Sequence, residues 1–208
     1  MNVLAIGAHF DDIELGCGGA LAKHIAVGDT VFAYVATNSG YTNPNNVVIR
    51  SNETALEEGK ASMDKLGVNL ILGSFDTLQV EFNDTLNCEI VSIVEKNNIQ
   101  QVYTHWVGDV HHDHHAVALS SLHSCRHVPR ILMYRSNWYH SGMNFNGNFY
   151  VDITDHLELK MDLIRQHKSE LERTGYKWIE FFKNEAQNAG QRIGVKYAEC
   201  YELVKWLG

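Results

Sequence analysis

One histidine and two adjacent aspartates follow the first apolar run of the chain, in the segment Ala8-His9-Phe10-Asp11-Asp12. Imidazole nitrogens and carboxylate oxygens are both good ligands for a divalent metal such as Zn²⁺. At a sharp turn His9 and Asp12 can converge on one ion, which leaves Asp11 off the metal as a base. The alternative is that one aspartate only caps a helix beginning near Leu15. A cap needs one aspartate, so the segment favours metal chemistry.

A second cluster of candidate ligands lies in the middle of the chain. Five of the 12 histidines fall between His105 and His115, four of them in the run His111-His112-Asp113-His114-His115. One ligand from this run would complete a set of His, Asp and His, which is typical of catalytic zinc sites with an open coordination position. His112 and His115 fit a solvated helix start better, and His105 fits a buried histidine within a strand.

Three glycines, Gly16, Gly18 and Gly19, follow the first cluster and raise the alternative of a dinucleotide site. Their spacing is GxGG, and charged residues separate them from the first strand, whereas the dinucleotide fingerprint is GxGxxG directly after the strand. We therefore interpret the glycines as allowing the helix to approach the metal-binding loop closely.

These clusters need a scaffold, and the apolar pattern predicts one. The predicted strands are Val3–Ala8, Val31–Thr37, Leu70–Gly73, Gln101–His105 and Ile131–Tyr134. The helices predicted between and after them are Leu15–Val27, Ser51–Leu66, Thr85–Lys96, Asp113–Cys125, Asp155–Thr174 and Lys177–Ala189. Strands that alternate with helices indicate βαβ units with right-handed crossovers. We therefore expect residues 1–208 to form a single Rossmann-like α/β domain, with a mostly parallel sheet flanked by helices.

The carboxyl ends of the strands are where ligands bind in an open parallel sheet. The segments that follow predicted strands one, two and four are His9–Asp12, Thr37–Tyr41 and His105–His115. We therefore expect these polar and histidine-rich segments to meet at one edge and to hold the metal site there. The polar stretch Asn38–Asn46 is the best candidate for a mobile flap over it.

Composition excludes several classes of function. The chain has 17 basic and 25 acidic residues and a net charge of −8, so it lacks the basic surface of a nucleic-acid-binding protein. No stretch approaches the roughly 20 apolar residues that span a membrane, and the N-terminus lacks the pattern of a signal peptide. Four scattered cysteines without a CxxC pair indicate free thiols. We expect a cytoplasmic protein.

Together the motifs resemble those of the LmbE/PIG-L family of zinc-dependent de-N-acetylases. AHFDDIELGCGG resembles the family signature AHPDDxE…GGG, and the segment His111–Val117 resembles HPDHRAV. Weaker similarities are Arg50-Ser51-Asn52-Glu53, His167-Lys168-Ser169-Glu170 and Tyr197-Ala198-Glu199. The chain departs from the pattern at Phe10 and His112, which replace prolines, at Asn38–Tyr41 in place of Thr-x-Gly-Glu, and at Glu170 in place of Gln.

The resemblance implies a role for each matching residue. His9, Asp12 and His114 would bind Zn²⁺, or another divalent ion such as Fe²⁺. Asp11 would be the general base, and His111 would assist the oxyanion or the departing amine, with Asp113 beside it to keep it cationic. The implied reaction is hydrolysis of the N-acetyl group of an amino sugar, either free or linked to a nucleotide, a lipid or a thiol precursor.

The substrate-binding residues are predicted from the segment Tyr134–His140, which is rich in aromatic and amide side chains. Trp138 suits a sugar ring, while Arg135 or Arg50 would hold a phosphate or carboxylate. These residues predict a preference for anionic amino sugars. The alternative for Trp138 and Tyr139 is that they pack an interface between copies of the chain in a homo-oligomer.

Two other functions fit the same residues. One is a non-catalytic metal-binding or sensor protein, which would have a closed fourth ligand and no cavity beside the metal. The other is a metal-dependent hydrolase of an ester or phosphoester, and phosphoesterases commonly use two metals about 3.5–4 Å apart.

Overall fold

Seven of the nine strands form one sheet in the computed structural model, which describes residues 1–208. The strands are β1 (Asn2–Gly7), β2 (Thr30–Thr37), β3 (Tyr41–Thr42), β4 (Val48–Arg50), β5 (Asn69–Phe75), β6 (Gln101–His105), β7 (Arg130–Tyr134), β8 (Phe149–Asp152) and β9 (Ala198–Trp206). The sheet order is β5-β2-β1-β6-β7-β9-β8. The first five strands in this order run parallel, and β9 pairs antiparallel with both β7 and β8.

Helices cover both faces of this sheet. They are α1 (Asp12–Ala26), α2 (Asn52–Leu66), α3 (Asp84–Lys96), α4 (His112–Ser124), α5 (Leu157–Ile164), α6 (Lys168–Arg173) and α7 (Lys177–Ile193), with a short 3₁₀ turn at Thr154–His156. Successive residues of β1 enter different cores: Val3 and Ala5 pack among side chains of α1 and α2, whereas Leu4 and Ile6 pack among those of α3 and α4. This alternation explains why the strand has no polar face.

The predicted strands and the first four predicted helices are all present, with ends shifted by at most a few residues. The predicted helix Asp155–Thr174 was wrong as one element, because it is broken into the 3₁₀ turn, α5 and α6. The break lies at Arg165–His167, where the His167 side chain is fully buried and contacts the Glu14 carboxylate. A continuous helix would not place this histidine there.

Three features were missed in the sequence. The C-terminal strand β9 and its neighbour β8 extend the sheet with antiparallel pairing. Both are only partly buried and lack the continuous apolar run of the central strands. The predicted flap Asn38–Asn46 instead contains β3, which pairs with β4 to form a small two-stranded hairpin.

The glycines of α1 have a different explanation from the predicted one. A Cβ at Gly16 would lie 2.1 Å from the Tyr134 ring, and one at Gly19 would lie 2.8 Å from Ile153. The helix therefore approaches β7 and the segment after β8, not the metal-binding loop. Tyr134 in turn donates a hydrogen bond to the Ile6 carbonyl, which ties β7 to the end of β1.

A buried ion pair joins α1, α5 and β9. The Glu199 carboxylate accepts hydrogen bonds from the backbone amides of Gly19 and Ala20, 2.9 and 2.7 Å away, and from the Tyr201 hydroxyl at 2.6 Å. Lys160 donates to the same carboxylate and to the Leu15 carbonyl. Every member is buried, so the pair fixes the C-terminal strand against the helix that begins at the predicted metal-binding loop.

Two expectations about the whole chain can be compared with the structure. All four cysteines are free thiols, as predicted. None of the helices combines the length and the apolar character that crossing a membrane requires.

The buried pair makes a testable prediction about stability. Lys160→Met removes the cation and leaves the buried Glu199 carboxylate without a counter-charge, so we expect the free energy of unfolding to fall by about 3–5 kcal/mol. Urea denaturation of the purified variant measures this change. The control is Lys65→Met, which breaks an exposed ion pair with Asp162 and should cost at most about 1 kcal/mol. Equal losses in the two variants would show that the buried pair does not stabilise the fold.

Candidate functional site

The residues predicted to do chemistry meet at the carboxyl edge of the parallel strands, as expected. His9–Asp12 follow β1, Ser39 follows β2, His111–His114 lie at the start of α4, and Ser136 and Trp138 follow β7. Side chains from all of these segments line one cavity. We call it the site cavity, and its members also include Tyr41, Arg50, Leu78, Glu170, Arg173 and Trp178.

Three electron-pair donors converge at the base of this cavity. His9 Nδ1 lies 3.2 Å from His114 Nε2. Asp12 Oδ2 lies 3.3 Å from His9 Nδ1, and Asp12 Oδ1 lies 3.1 Å from His114 Nε2. We call His9, Asp12 and His114 the donor triad. Asp12 is held in place because its carboxylate accepts hydrogen bonds from the His9 amide and from the Ser136 hydroxyl, both at 2.8 Å.

Two further carboxylates determine which ring nitrogens of the triad carry hydrogen. His9 Nε2 contacts Asp113 Oδ2 at 2.8 Å, and His114 Nδ1 contacts Asp109 Oδ2 at 3.1 Å. An ionised carboxylate only accepts, so these two nitrogens are the donors. The nitrogens that face Asp12 then carry lone pairs, so three acceptors point at one another. Such an arrangement is repulsive unless a cation lies between them.

The pKa values of His9 and His114 also indicate that the site stabilises positive charge. Burial opposes protonation of His114, but the Asp12 and Asp109 carboxylates outweigh it and raise its pKa to about 10. Burial also opposes protonation of His9, but the Asp113 and Asp12 carboxylates outweigh it and raise the pKa of His9 to about 9. Despite its burial, Asp12 has a pKa well below the usual range, because His114 and His105 lie beside it. Without a metal, protons supply the positive charge.

The spacing of the two ring nitrogens suits Zn²⁺. Ligand atoms about 2.0–2.1 Å from a tetrahedral zinc ion lie about 3.3 Å from one another, and His9 Nδ1 and His114 Nε2 lie 3.2 Å apart. Asp12 approaches them through different oxygens, with Oδ2 3.3 Å from His9 and Oδ1 3.1 Å from His114. Two other histidines are near. His105 Nε2 already accepts a hydrogen bond from the Ala8 amide at 3.0 Å. His111 is the second, and its nearest ring nitrogen lies within 4.8 Å of those of His9 and His114.

Asp11 stays off the triad and does not cap α1. Its side chain makes no capping hydrogen bond, and its backbone adopts a φ of 115°, which is unfavourable for any residue with a Cβ. The carboxylate lines the site cavity instead. Burial and the neighbouring Asp12 charge raise the pKa of Asp11 to about 7, although Arg50 opposes the shift.

Arg50 does not have the free guanidinium that substrate binding would need. The side chain is 2 % exposed. Its nitrogens lie 3.4 Å from Asp11 Oδ2, 3.0 Å from Glu58 Oε2 and 3.3 Å from His167 Nδ1. Arg50 is therefore poorly placed to bind a substrate anion, because it contacts Asp11, Glu58 and His167 within a buried network.

The predicted partnership of Asp113 with His111 is also corrected. The Asp113 carboxylate accepts hydrogen bonds from His9 and from the amides of Leu78 and Val80. It is the Asp113 backbone amide that reaches His111, donating to Nδ1 at 3.2 Å. Burial and the positive charges of His114 and His9 lower the pKa of His111 to about 4. His111 is therefore a neutral ring that carries its hydrogen on Nε2.

The other predicted residues lie in three different environments. Trp138 lines the site cavity, and its ring packs 5.4 Å from that of Phe181. Arg135 does not line this cavity but a second one, so its predicted contact with the same ligand group is corrected. His112 and His115 are exposed, as predicted.

Four contributors to the site were missed in the sequence. Asp109 and Ser136 hold the triad, and Asn137 donates to both oxygens of Asp109 at 2.7 Å. Arg173 lines the cavity mouth and pairs with Glu170. An acidic residue five positions before His114 was a usable signal for Asp109, whereas only the fold brings the other three residues to this edge.

Comparison with known proteins adds independent information. The family model for PIG-L, described as GlcNAc-PI de-N-acetylase, matches residues 4–123. The uncharacterized deacetylase YaiS of Escherichia coli is 33 % identical over 185 residues, which cover 81 % of this chain and 91 % of YaiS. Diacetylchitobiose deacetylase of Thermococcus kodakarensis is 26 % identical over 98 % of this chain and 83 % of its own length.

A solved structure shows that the same fold also serves a different reaction. GalB, the 4-carboxy-2-hydroxymuconate hydratase of Pseudomonas putida, superposes with a TM-score of 0.85 over 100 % of this chain and 97 % of GalB, at 14 % identity. The shared fold alone therefore does not choose the chemistry. The family match is more specific, since it spans more than half of the chain and includes Asp11 and the whole donor triad. The chain belongs to the PIG-L family.

Proposed function

We propose that residues 1–208 form one metal-dependent deacetylase domain that hydrolyses the N-acetyl group of an amino sugar. The observation that carries this proposal is the convergence of three lone-pair donors beside Asp11, at the base of a cavity of about 340 Å³. Membership of the PIG-L family and the two deacetylase relatives support the same reaction. A closed metal sensor would lack such a cavity beside its ions.

The donor triad would hold the metal, for which Zn²⁺ is our first choice and Fe²⁺ the second. When bound, such an ion supplies an activated water nucleophile and draws electron density from the amide carbonyl. Asp109 and Asp113 prepare the triad for it, because they keep the hydrogens on the outer nitrogens of His114 and His9.

Asp11 would act as the general base. A carboxylate with a pKa near the working pH can accept the proton of the attacking water and then return it to the departing nitrogen. Arg50 restrains the carboxylate at 3.4 Å. A divalent cation in the triad would counteract this raised pKa of Asp11 and keep the carboxylate ionised at neutral pH.

His111 would stabilise the developing oxyanion. Its Nδ1 accepts the Asp113 amide, so the other nitrogen is left as a neutral N–H donor in a ring that lines the site cavity. A neutral donor needs no cationic state for this role. One preorganised hydrogen bond of this kind commonly contributes about 10²–10³-fold to turnover.

Aromatic side chains at the cavity mouth fit a sugar ring. Trp138, Trp178, Tyr41 and Tyr139 all line it. This cavity does not support the prediction of an anionic substrate, because Arg50 pairs with buried acids and Arg135 lines a different cavity. Arg173 is the remaining arginine here, and Glu170 already neutralises it. We therefore propose a neutral N-acetylamino sugar as the group that enters the site cavity.

The first prediction concerns metal content. His9→Ala, Asp12→Ala and His114→Ala should each remove most of about one zinc ion per chain, because each takes one of only three protein ligands. Elemental analysis of the purified proteins measures this. His112→Ala and His115→Ala are matched controls on the exposed side of α4, and they should keep the metal. Full occupancy in His114→Ala, or a lost metal in His111→Ala, would contradict the triad.

The second prediction concerns stability and pH. In the metal-free protein His9 and His114 have pKa values of about 9 and 10, above the unfolded value of about 6.5. Their protonation stabilises the fold fully below the unfolded pKa, and this contribution is lost as pH rises through 9 to 10. Zinc replaces the protons. The difference in unfolding free energy between zinc-loaded and chelator-treated protein should therefore grow from pH 7 to pH 9.5 in urea titrations. A constant or shrinking difference would count against the site.

The third prediction tests the reaction itself. Zinc-loaded protein should release acetate from N-acetylglucosamine or diacetylchitobiose, and Asp11→Asn should lower kcat about 10²–10⁴-fold while it retains the metal. Asparagine has nearly the same size and shape as aspartate, so the fold should persist. Acetate release and zinc content are measured on the same samples. Normal turnover by Asp11→Asn would exclude Asp11 as the base, and no acetate release from any N-acetylamino sugar would reject the proposed function.

A further inference from the structure

A second cavity lies on the other side of the segment that follows β7. We call it the second cavity, and its volume is about 760 Å³. Residues Arg135–His140 form its shared wall with the site cavity. Ser136, Trp138 and Tyr139 line the site cavity, Arg135 and His140 line the second cavity, and Asn137 lines both. The segment therefore presents side chains to both cavities.

The second cavity carries two arginines, in a chain of net charge −8. Arg135 makes no ion pair, and its nearest polar contact is the Asn137 carbonyl at 3.5 Å. Arg192 lies across the cavity at the end of α7, where Tyr150 and Glu185 are its polar neighbours. The remaining cation of the wall, Lys160, is committed to Glu199 and the Leu15 carbonyl. Arg135 is therefore free to bind an anion.

The apolar residues of the second cavity indicate what kind of molecule the anionic group belongs to. The Arg135 guanidinium stands 5.9 Å from the centre of the Phe145 ring, and Phe181 and Phe182 line the α7 side. Amides from Asn144, Asn188 and Gln191 complete the lining. Arginine over an aromatic ring, with amides around it, suits a carboxylate or phosphate attached to a ring-shaped body.

We propose that the second cavity binds a small organic anion, with its carboxylate or phosphate on Arg135 and its ring beside Phe145. The site is separate from the donor triad, and it does not depend on the proposed deacetylation. Its occupant contacts the segment whose next residues, Ser136 and Asn137, hold Asp12 and Asp109. The anion is either the far end of an extended substrate or a separate effector.

Calorimetric titration of zinc-loaded protein with phenyl phosphate tests the site, and phenol serves as the uncharged counterpart. We expect phenyl phosphate to bind and phenol to bind much more weakly. Arg135→Gln should weaken phenyl phosphate binding about 10–100-fold, since it removes a charge-assisted contact. The matched control is Arg173→Gln, which lies in the site cavity and should leave the affinity within twofold. Arg192→Gln provides a second variant should Arg135→Gln fold poorly.

Kinetics with a neutral N-acetylamino sugar as substrate, measured with and without phenyl phosphate, distinguish an extended substrate from a separate effector. An increase in KM at constant kcat, lost in Arg135→Gln, would identify the far end of an extended substrate. A change in kcat at constant KM would identify an effector. Binding that survives both Arg135→Gln and Arg192→Gln, binding lost in Arg173→Gln, or no binding at millimolar phenyl phosphate would overturn the proposal. The binding outcomes do not depend on whether the protein is a deacetylase, so a failure of the proposed function would leave them interpretable.

Discussion

Three electron-pair donors within 3.3 Å of one another are the constraint on which this structure depends. His9, Asp12 and His114 come from distant parts of the chain, and their lone pairs repel one another unless a cation joins them. The parallel strands solve the positioning problem, because β1 and β6 are neighbours and their carboxyl ends release both ligand segments at the same edge. Asp113 and Asp109 solve the protonation problem, because each holds the hydrogen of one imidazole on the outer nitrogen.

The rest of the buried charge supports this edge. Glu14 contacts His167, His167 contacts Arg50, and Arg50 contacts Asp11, so a line of paired groups runs from the interior to the base beside the triad. Buried charges cost folding free energy unless they are paired, and each member of this line has a partner. On the far side of α1, Gly16 admits the Tyr134 ring and Glu199 binds Lys160, which fixes the helix that starts at Asp12.

Much of this could be predicted from the sequence, for identifiable reasons. The central strands are apolar on both faces, so β1, β2 and β6 stood out, and the rule of carboxyl ends then placed the His9 and His114 segments together. The surroundings of Arg50 and Arg135 could not be predicted, because an arginine gives the same sequence signal whether it is buried among acids or free at a cavity. The fold decides between these states, because it brings Glu58 of α2 and His167 at the start of α6 to Arg50 at the end of β4. Strands β8 and β9 were missed because antiparallel edge strands carry a weaker pattern.

The central claim is that one metal ion is bound by two imidazoles and one carboxylate. X-ray absorption spectroscopy at the zinc edge of the metal-loaded protein tests this claim most directly, because it counts and identifies the ligand atoms. We expect two imidazole nitrogens bound to the zinc ion, with all nitrogen and oxygen ligands at about 2.0–2.2 Å and no sulfur ligand or second metal nearby. A site with three or more imidazoles, with sulfur ligands, or with a second metal at about 3.5–4 Å would contradict it.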